Sequence, residues 1–136
     1  MSEIEQTPAV EDVMAVAEFR AALRQFLRRS ERIARQSGLT PQRHLLLMMI
    51  KGAPGGEEQS TVTELSDRLQ LAQSTVTELV RRAEDAGLIE REQSQRDARV
   101  AYLRLSEEGE RRLMLAFTDL ARERAQLRDA FAHLDA

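Results

Sequence analysis

Apolar residues recur every three or four positions over most of the chain, which is the spacing of one face of an α-helix. The first such stretch runs from Asp12 to about Gln36, and Gly38 predicts its end. Its apolar positions are Val13, Val16, Phe19, Leu23, Phe26, Leu27 and Ile33, with arginines on the opposite face. We therefore predict a long amphipathic first helix, preceded by a flexible tail over residues 1–10.

Capping residues mark the start of two further helices. Thr40 supplies a hydroxyl cap before Pro41, and the almost wholly apolar run of residues 45–50 predicts that this second helix is buried. Thr61 and Glu64 have the spacing of a capping box, which predicts the start of a third helix. The apolar positions of the third helix are Val62, Leu65 and Leu69.

A fourth helix follows the third after a short break that Leu71 is expected to fill. Its inner face is formed by Val76, Leu79, Val80 and Ala83. This spacing is what the two crossed helices of a helix-turn-helix need in order to pack together, although any antiparallel helix pair would give a similar pattern. The outer face carries Gln73, Ser74, Thr77, Glu78 and Arg81, and by itself it fits a solvated surface as well as a DNA contact.

Alternating apolar residues after Gly87 predict two short strands, which are joined by a polar, arginine-bearing tip at residues 94–99. The apolar positions of the two strands are Leu88, Ile89, Val100, Tyr102, Leu103 and Leu105. Two crossed helices followed by a basic hairpin predict a winged helix-turn-helix. This shape suits duplex DNA, since it offers a helix for the major groove and an arm for the backbone or minor groove.

A final helix is predicted to begin after Ser106 as its cap. Gly109 in the first turn is expected to cost a little helix stability. The apolar positions continue at Leu113, Phe117, Leu120, Leu127, Phe131 and Leu134, with a single interruption by Arg124. A heptad-like stripe of this length predicts a partner helix.

The net charge of −3 is unevenly distributed along the 136 residues. Residues 1–18 hold five acidic and no basic residues, so the rest of the chain carries a net charge of +2. The predicted DNA face is therefore only mildly basic, and we expect few phosphate contacts per subunit and salt-sensitive binding. The absence of Cys excludes disulfides, Cys-ligated zinc and a thiol redox switch.

No enzyme or metal site can be assembled from the sequence. The only histidines are His44 and His133, and no group of His and acidic residues has the spacing of a metal site or a catalytic constellation. We therefore expect no catalytic activity, no metal and no cofactor. The lack of a signal-peptide-like or membrane-spanning apolar run predicts a single-domain cytoplasmic protein with no membrane contact.

Three segments together resemble the MarR family of bacterial transcriptional regulators, over roughly residues 12–136. They are LTPQRHLLL, TVTELSDRLQLAQSTVTELVRRAEDAGLIER and SQRDARVAYLRLSEEGERRL. The resemblance implies a homodimer joined by helices over residues 11–37 and 107–136. It also implies a winged helix-turn-helix lobe over residues 40–105 that binds one half of a near-palindromic operator. The family's usual role is repression, relieved by small, often aromatic or anionic effectors.

The resemblance also implies particular contact residues. The DNA contacts fall on Gln73, Ser74, Thr75, Thr77, Glu78, Arg81, Arg96 and Arg99, and Asp97 orients the wing by pairing with an arginine, by similarity Arg99. For Glu78, a hydrogen bond from cytosine competes with a helix ion pair to Arg82. The effector pocket, placed by family geometry, is expected at Phe19, Leu23, His44, Met48 and Phe117. For His44 a packed structural role is the competing interpretation.

Three positions depart from the family pattern. Ser94 replaces an Asp before the wing arginine, Gln70 replaces a Gly in the helix-turn-helix break, and Ala72 replaces a capping residue. The missing cap leaves helix amides free, which a phosphate oxygen could satisfy. Two other functions stay open, since a fold does not fix function: a winged-helix adaptor for protein contacts, and a dimeric regulator of another family without a ligand switch.

Overall fold

The computed structural model describes residues 7–134 and contains, within that range, six helices and a two-stranded antiparallel sheet. The elements are α1 (Val10–Gln36), α2 (Pro41–Lys51), α3 (Val62–Leu69), α4 (Gln73–Asp85), β1 (Ile89–Gln93), β2 (Ala101–Leu105), α5 (Glu107–Asp119) and α6 (Ala121–Ala132). The predicted mainly helical fold with a hairpin wing is confirmed. Of the predicted flexible tail, residues 1–6 lie outside the described residues, and α1 already begins at Val10.

The helix boundaries follow the predicted capping residues. The hydroxyl oxygen of Thr40 accepts a hydrogen bond from the amide of Arg43 at 3.1 Å. Thr61 and Glu64 form both bonds of a capping box, at 3.2 and 2.8 Å. Ser106 caps α5 by accepting from an amide in its first turn. Each bond satisfies an amide that has no partner inside its own helix, which is why these residues fix where the helices begin.

The main hydrophobic core lies inside the helix-turn-helix lobe. It contains Leu46, Leu47, Ile50, Leu65, Val76, Val80, Leu88 and Leu103, each at most 1% exposed. Ser60 extends the sheet at its base, since its backbone exchanges two hydrogen bonds with Leu103, at 2.8 and 3.1 Å. The wing is thereby attached to the segment that precedes α3.

Two leucines that were expected to be buried are exposed, so these predictions are wrong. Leu45 is 44% exposed because the core covers only one side of α2, the side of Leu46, Leu47 and Ile50. Leu71 is 39% exposed because backbone and polar side-chain bonds close the turn before α4. Apolar character alone does not show which side of an element faces the core.

The C-terminal region forms two helices, and the prediction of one uninterrupted helix is wrong. The break falls at Leu120, which is buried against Ile33 and Ala116. Arg124 stabilises the bend, because its guanidinium donates a hydrogen bond to the carbonyl of Phe117 and lies 3.6 Å from the centre of that ring. The residue that interrupts the apolar stripe therefore binds the end of α5.

Helix α6 folds back along α1 of the same chain. The rings of Phe19 and Phe131 meet edge to face with centroids 5.9 Å apart. Nε of Arg29 lies 3.6 Å from a carboxylate oxygen of Glu123. Part of the predicted apolar stripe is thus used inside the subunit, yet Phe131 remains 62% exposed.

Gly109 allows α5 to lie directly against the start of the wing. The glycine is buried, and a Cβ atom at this position would lie 2.1 Å from the carbonyl oxygen of Leu88. The amide of Ser106 donates to that same oxygen at 2.9 Å. The expectation of a small helix cost misses this role, because the close approach involves residues distant in the sequence.

His44 lies on α2 and packs against α1. It is 3% exposed, and Nδ1 lies 3.4 Å from the hydroxyl oxygen of Ser30. Within the described residues, Nε2 is buried and has no hydrogen-bond partner. Burial lowers the pKa of the His44 imidazole below its ordinary value of 6.5, since removal from water disfavours the charged form.

We expect the free energy of unfolding to fall as the pH is lowered through 6.5 towards 5. The unfolded chain then binds a proton at His44 that the folded chain does not, so stability falls by at most about 1.4 kcal/mol per pH unit. Carboxylates held by arginines, such as Glu108 with its pKa of about 2, change stability only below about pH 4.5. Urea unfolding at a series of pH values between about 6.5 and 4.5 measures the effect.

His44→Phe should abolish this pH dependence, because it removes the buried imidazole. His133 is the matched control, since its ring is exposed near the end of α6. His133→Gln should retain the wild-type slope. An equal slope in wild type and His44→Phe would contradict the assignment to His44.

Candidate nucleic-acid interface

A three-residue turn joins α3 and α4, as in a helix-turn-helix. Gln70 adopts a left-handed backbone with φ of +56°, and its side chain donates to the carbonyl of Asp67 at 2.6 Å. The hydroxyl of Ser66 donates to the carbonyl of Leu71 at 2.5 Å, and the amide of Leu71 donates back to the carbonyl of Ser66 at 3.2 Å. These bonds close the turn without the glycine that the family pattern implies.

Helix α4 turns its polar residues to solvent. Val76, Val80 and Ala83 are buried against the lobe. Six residues predicted to contact DNA lie on this helix and are exposed or partly exposed: Gln73, Ser74, Thr75, Thr77, Glu78 and Arg81. No side chain caps the helix at Ala72, so the first amides of α4 are available to an anion.

Carboxylates hold both arginines of α4. Glu78 accepts from Nη2 of Arg81 at 2.5 Å and from Nε of Arg82 at 3.0 Å. Asp85 accepts from Nη1 of Arg81 at 3.1 Å. Hydrogen bonds from Arg81 first, and then from Arg82, lower the pKa of the Glu78 carboxyl. The helix ion pair weighed for Glu78 is therefore present, and it extends to a second arginine.

The wing turn is organised by Ser94. Its hydroxyl oxygen accepts from the amides of Arg96 and Asp97, at 3.2 and 3.3 Å, and its own amide donates to the carbonyl of Val100 at 2.9 Å. Asp97 holds Arg99 by accepting from its backbone amide at 3.0 Å and from its guanidinium at 3.1 and 3.2 Å. These bonds to Arg99 lower the pKa of the Asp97 carboxyl. Ser94 thus closes the turn, which is a role that the Asp expected from the family pattern could also perform.

Arg96 differs from the other wing arginine. Its side chain is exposed, and within residues 7–134 no carboxylate lies within ion-pair distance of it. Arg99, in contrast, is paired with Asp97 although its own side chain is 89% exposed. The wing tip therefore presents one guanidinium that is already available to an external anion.

An ion pair connects the wing to the predicted recognition helix. Arg91 on β1 donates to both carboxylate oxygens of Glu84 on α4, at 2.9 and 3.3 Å. The hydrogen bonds that Arg91 donates to Glu84 raise the pKa of Arg91. This pair was not predicted from the sequence, although an acid and a base lie on either side of the predicted turn at Gly87.

The residues expected to form an effector pocket lie on three different helices. Phe19 packs on Phe131, His44 is packed against Ser30, and Phe117 lies under Arg124. Leu23 lines a shallow groove along one face of α1, and Met48 packs against the main core. We find no cavity within the described chain that these five residues line together, so the pocket stays a prediction.

The sequence profile of the MarR family matches residues 37–100, from the end of α1 to the end of the wing tip. The fold is also that of a MarR family transcription regulator of known structure, SP03579, with a TM-score of 0.69 and 25% identity over 86% of this chain and 75% of the other. Over residues 37–100, which include the helix-turn-helix and the wing tip, the chain is a MarR-family transcriptional regulator.

Two further solved structures resemble this MarR-family protein. The regulator Tm0710 of Thermotoga maritima has a TM-score of 0.63 and 26% identity, over 86% of this chain and 78% of the other. FabT of Streptococcus pneumoniae, solved in complex with DNA, has a TM-score of 0.59 and 25% identity, over 67% and 61% of the two chains. No curated protein sequence matches this chain significantly.

Family membership confirms two expectations from the sequence. The protein is a winged helix-turn-helix regulator of a DNA-binding family, and that family is not one of enzymes. Among residues 7–134, no helix is long and apolar enough to cross a membrane.

Proposed function

We propose that this MarR-family protein binds a near-palindromic operator in duplex DNA as a homodimer and represses transcription. In each subunit α4 enters the major groove and the wing contacts the backbone or minor groove. The observation that carries the proposal is the exposed polar face of α4, with its uncapped start, beside a wing tip that presents Arg96. Three solved neighbours are DNA complexes: FabT, a mutant of Staphylococcus aureus MepR bound to an oligodeoxyribonucleotide, and a mutant of Escherichia coli MarR bound to operator DNA.

The proposed division of labour follows the chemistry of the exposed groups. Residues at the start of α4, Gln73, Ser74, Thr75 and Thr77, offer donors and acceptors to base edges or phosphates. Arg96 suits a narrow, electronegative minor groove. Asp97 would repel DNA by itself, and its bonds to Arg99 support a role in orienting that guanidinium. These residues thus combine base reading with phosphate positioning.

The distribution of exposed apolar residues supports the homodimer. Nine of the eleven exposed large apolar side chains of the described chain lie on the terminal helices. They are Val10, Val13, Met14, Val16 and Leu27 on α1, Met114, Leu115 and Phe117 on α5, and Phe131 on α6. Such a concentration on an otherwise polar protein favours a protein interface, which a second copy would cover.

Removal of the wing guanidinium tests DNA binding. We expect Arg96→Ala to weaken binding to duplex DNA about fivefold at ~0.15 M salt and to lower the salt slope by about 1, because one phosphate contact is lost. The loss should be similar on all sequences if Arg96 only positions the wing. Fluorescence anisotropy over a series of KCl concentrations measures both quantities.

Arg122→Ala is the control, since Arg122 is an exposed arginine on α6, outside the helix-turn-helix lobe and the wing. It should bind as wild type does. Equal affinities of wild type and Arg96→Ala would show that the wing does not contribute to DNA binding. Absence of salt-dependent binding by wild type would instead favour a winged-helix adaptor for protein contacts, an alternative that the paired arginines of α4 also favour.

We further propose that a small aromatic or anionic effector relieves repression. The support is the resemblance to the family together with the groove along α1, which Leu23 and Arg24 line with neighbouring side chains. A guanidinium beside an apolar side chain suits an aromatic carboxylate. Release of the protein from DNA by aromatic carboxylates would separate this regulator from a winged-helix dimer without a ligand switch.

A further inference from the structure

The cationic groups of the predicted DNA face are largely neutralised by the protein itself. Arg81 and Arg82 are held by Glu78, Arg91 by Glu84, and Arg99 by Asp97. Affinity for duplex DNA comes mainly from lysines and arginines that replace the counterions of phosphates. A regulator whose arginines are paired with its own carboxylates therefore has a lower sequence-independent affinity for DNA.

Glu78 is the centre of this pairing on α4. Its two carboxylate oxygens accept three N–H groups, from Nε and Nη2 of Arg81 and from Nε of Arg82. Its pKa is lowered by the same bonds, so it is ionised at neutral pH. All three side chains are 43–60% exposed, so water and DNA can both reach the pairs. Exposed ion pairs of this kind contribute little free energy, so a DNA phosphate can replace the carboxylate as the partner of the arginine.

Glu78 also lies on the same outer face as Ser74 and Arg81, at offsets of four and three residues. A carboxylate at this position of a recognition helix would face the major groove. There it repels phosphates and accepts hydrogen bonds only, and the exocyclic amine of cytosine is the natural donor.

We propose that Glu78 determines sequence specificity by competing with DNA phosphates for Arg81 and Arg82. This inference rests on the proposed function of operator binding. On DNA that presents no hydrogen-bond donor within reach of Glu78, the carboxylate keeps its bonds to both arginines and repels the phosphates. On a sequence that presents a cytosine amine, the carboxylate accepts from the base, and the two guanidinium groups turn to phosphates. Specificity then arises partly from suppressed binding to wrong sequences.

The chain contains a matched control for Glu78. Glu108 on α5 has the same spacing to Arg111 and Arg112 and accepts from Nε of both, at 2.9 and 2.7 Å. The bonds from Arg111 and then Arg112 lower the pKa of Glu108 to about 2. Glu108→Gln thus removes the same charge and the same kind of clamp, from a helix that is not proposed to contact DNA.

The test compares wild type, Glu78→Gln and Glu108→Gln on two labelled duplexes by fluorescence anisotropy. One duplex has a mixed sequence, and the other is selected by wild type from a random library. We expect Glu78→Gln to bind the mixed duplex about fivefold tighter at ~0.15 M salt, with a slope steeper by about 0.9, because one negative charge leaves the interface. Its preference for the selected duplex should fall about tenfold. Glu108→Gln should match wild type on both duplexes.

Two results would overturn the inference while leaving operator binding intact. Unchanged affinity of Glu78→Gln for the mixed duplex, with a lost preference, would make Glu78 a base reader only. Wild-type behaviour on both duplexes would make the clamp a helix ion pair only. If none of the three proteins shows salt-dependent binding while thermal melting shows all of them folded, the proposed function and this inference both fail.

Discussion

Charging the exposed apolar face of the terminal helices is expected to convert the proposed homodimer to monomers and to lower its affinity for operator DNA about a hundredfold or more. The double variant Val13→Glu and Leu115→Glu places a carboxylate on α1 and another on α5, at side chains that are 56% and 50% exposed in the single chain. Burial of unpaired charges opposes association. Monomers lose the effective concentration that two linked half-site contacts provide. Sedimentation equilibrium and DNA titration measure the two effects.

Leu45→Glu is the control for this variant. Leu45 is 44% exposed on α2, so the control adds the same charge at a similarly exposed leucine outside the terminal helices. It should remain dimeric. A wild-type protein that sediments as a stable folded monomer at micromolar concentration would contradict the dimer, and with it the proposed reading of two half-sites.

Gly109→Ala is expected to lower the free energy of unfolding by about 3 kcal/mol, the upper range for inserting a methyl group into a packed site. The new Cβ atom would collide with the backbone carbonyl of Leu88, which also accepts the amide of Ser106. Because backbone atoms are involved, rotation of a side chain cannot relieve the collision. Urea unfolding measures the change.

Glu107→Ala controls for the general effect of substitution in this turn, because Glu107 is exposed two residues earlier. We expect its effect to stay within about 0.5 kcal/mol. A loss below about 1 kcal/mol in Gly109→Ala would show that α5 can move away from the wing at little cost. The packing of α5 against Leu88 would then not fix the position of the wing.

The features that were predictable from the sequence are those that depend on near neighbours in the chain. The caps at Thr40, Thr61 and Ser106 act on amides of the first turn that follows them, so type and spacing identify them. The inner face of α4 was likewise correct, because burial every three or four residues is imposed by the helix itself. Motif resemblance added the family, which the profile match and the fold confirm.

The features that were missed depend on groups that meet only after folding. Leu120, where the helix breaks, packs against Ile33 of α1, and the need for Gly109 depends on the carbonyl of Leu88. Arg124 interrupts an apolar pattern, and only the bend explains why it is there. An interrupted pattern or a glycine in a helix therefore marks a place where tertiary contacts decide the structure.

The predicted contact residues of α4 and the wing came from their positions in motifs, and their side chains are exposed or partly exposed. Their internal pairing did not follow from the sequence, because Glu78 had an ion pair and a base contact as alternatives. The structure shows the ion pair to both Arg81 and Arg82. The charge available to DNA is consequently smaller than a count of arginines indicates, which supports the proposal that two linked copies bind DNA together.

Selection of bound duplexes from a random library, followed by footprinting of the selected sequence, tests whether a homodimer reads two half-sites. A homodimer that places one α4 in each of two major grooves predicts a near-palindromic sequence. Its two protected half-sites should have centres about one turn apart, on the order of 10 base pairs. Enrichment of a single unpaired half-site, or no enrichment of any sequence, would contradict operator binding by a homodimer.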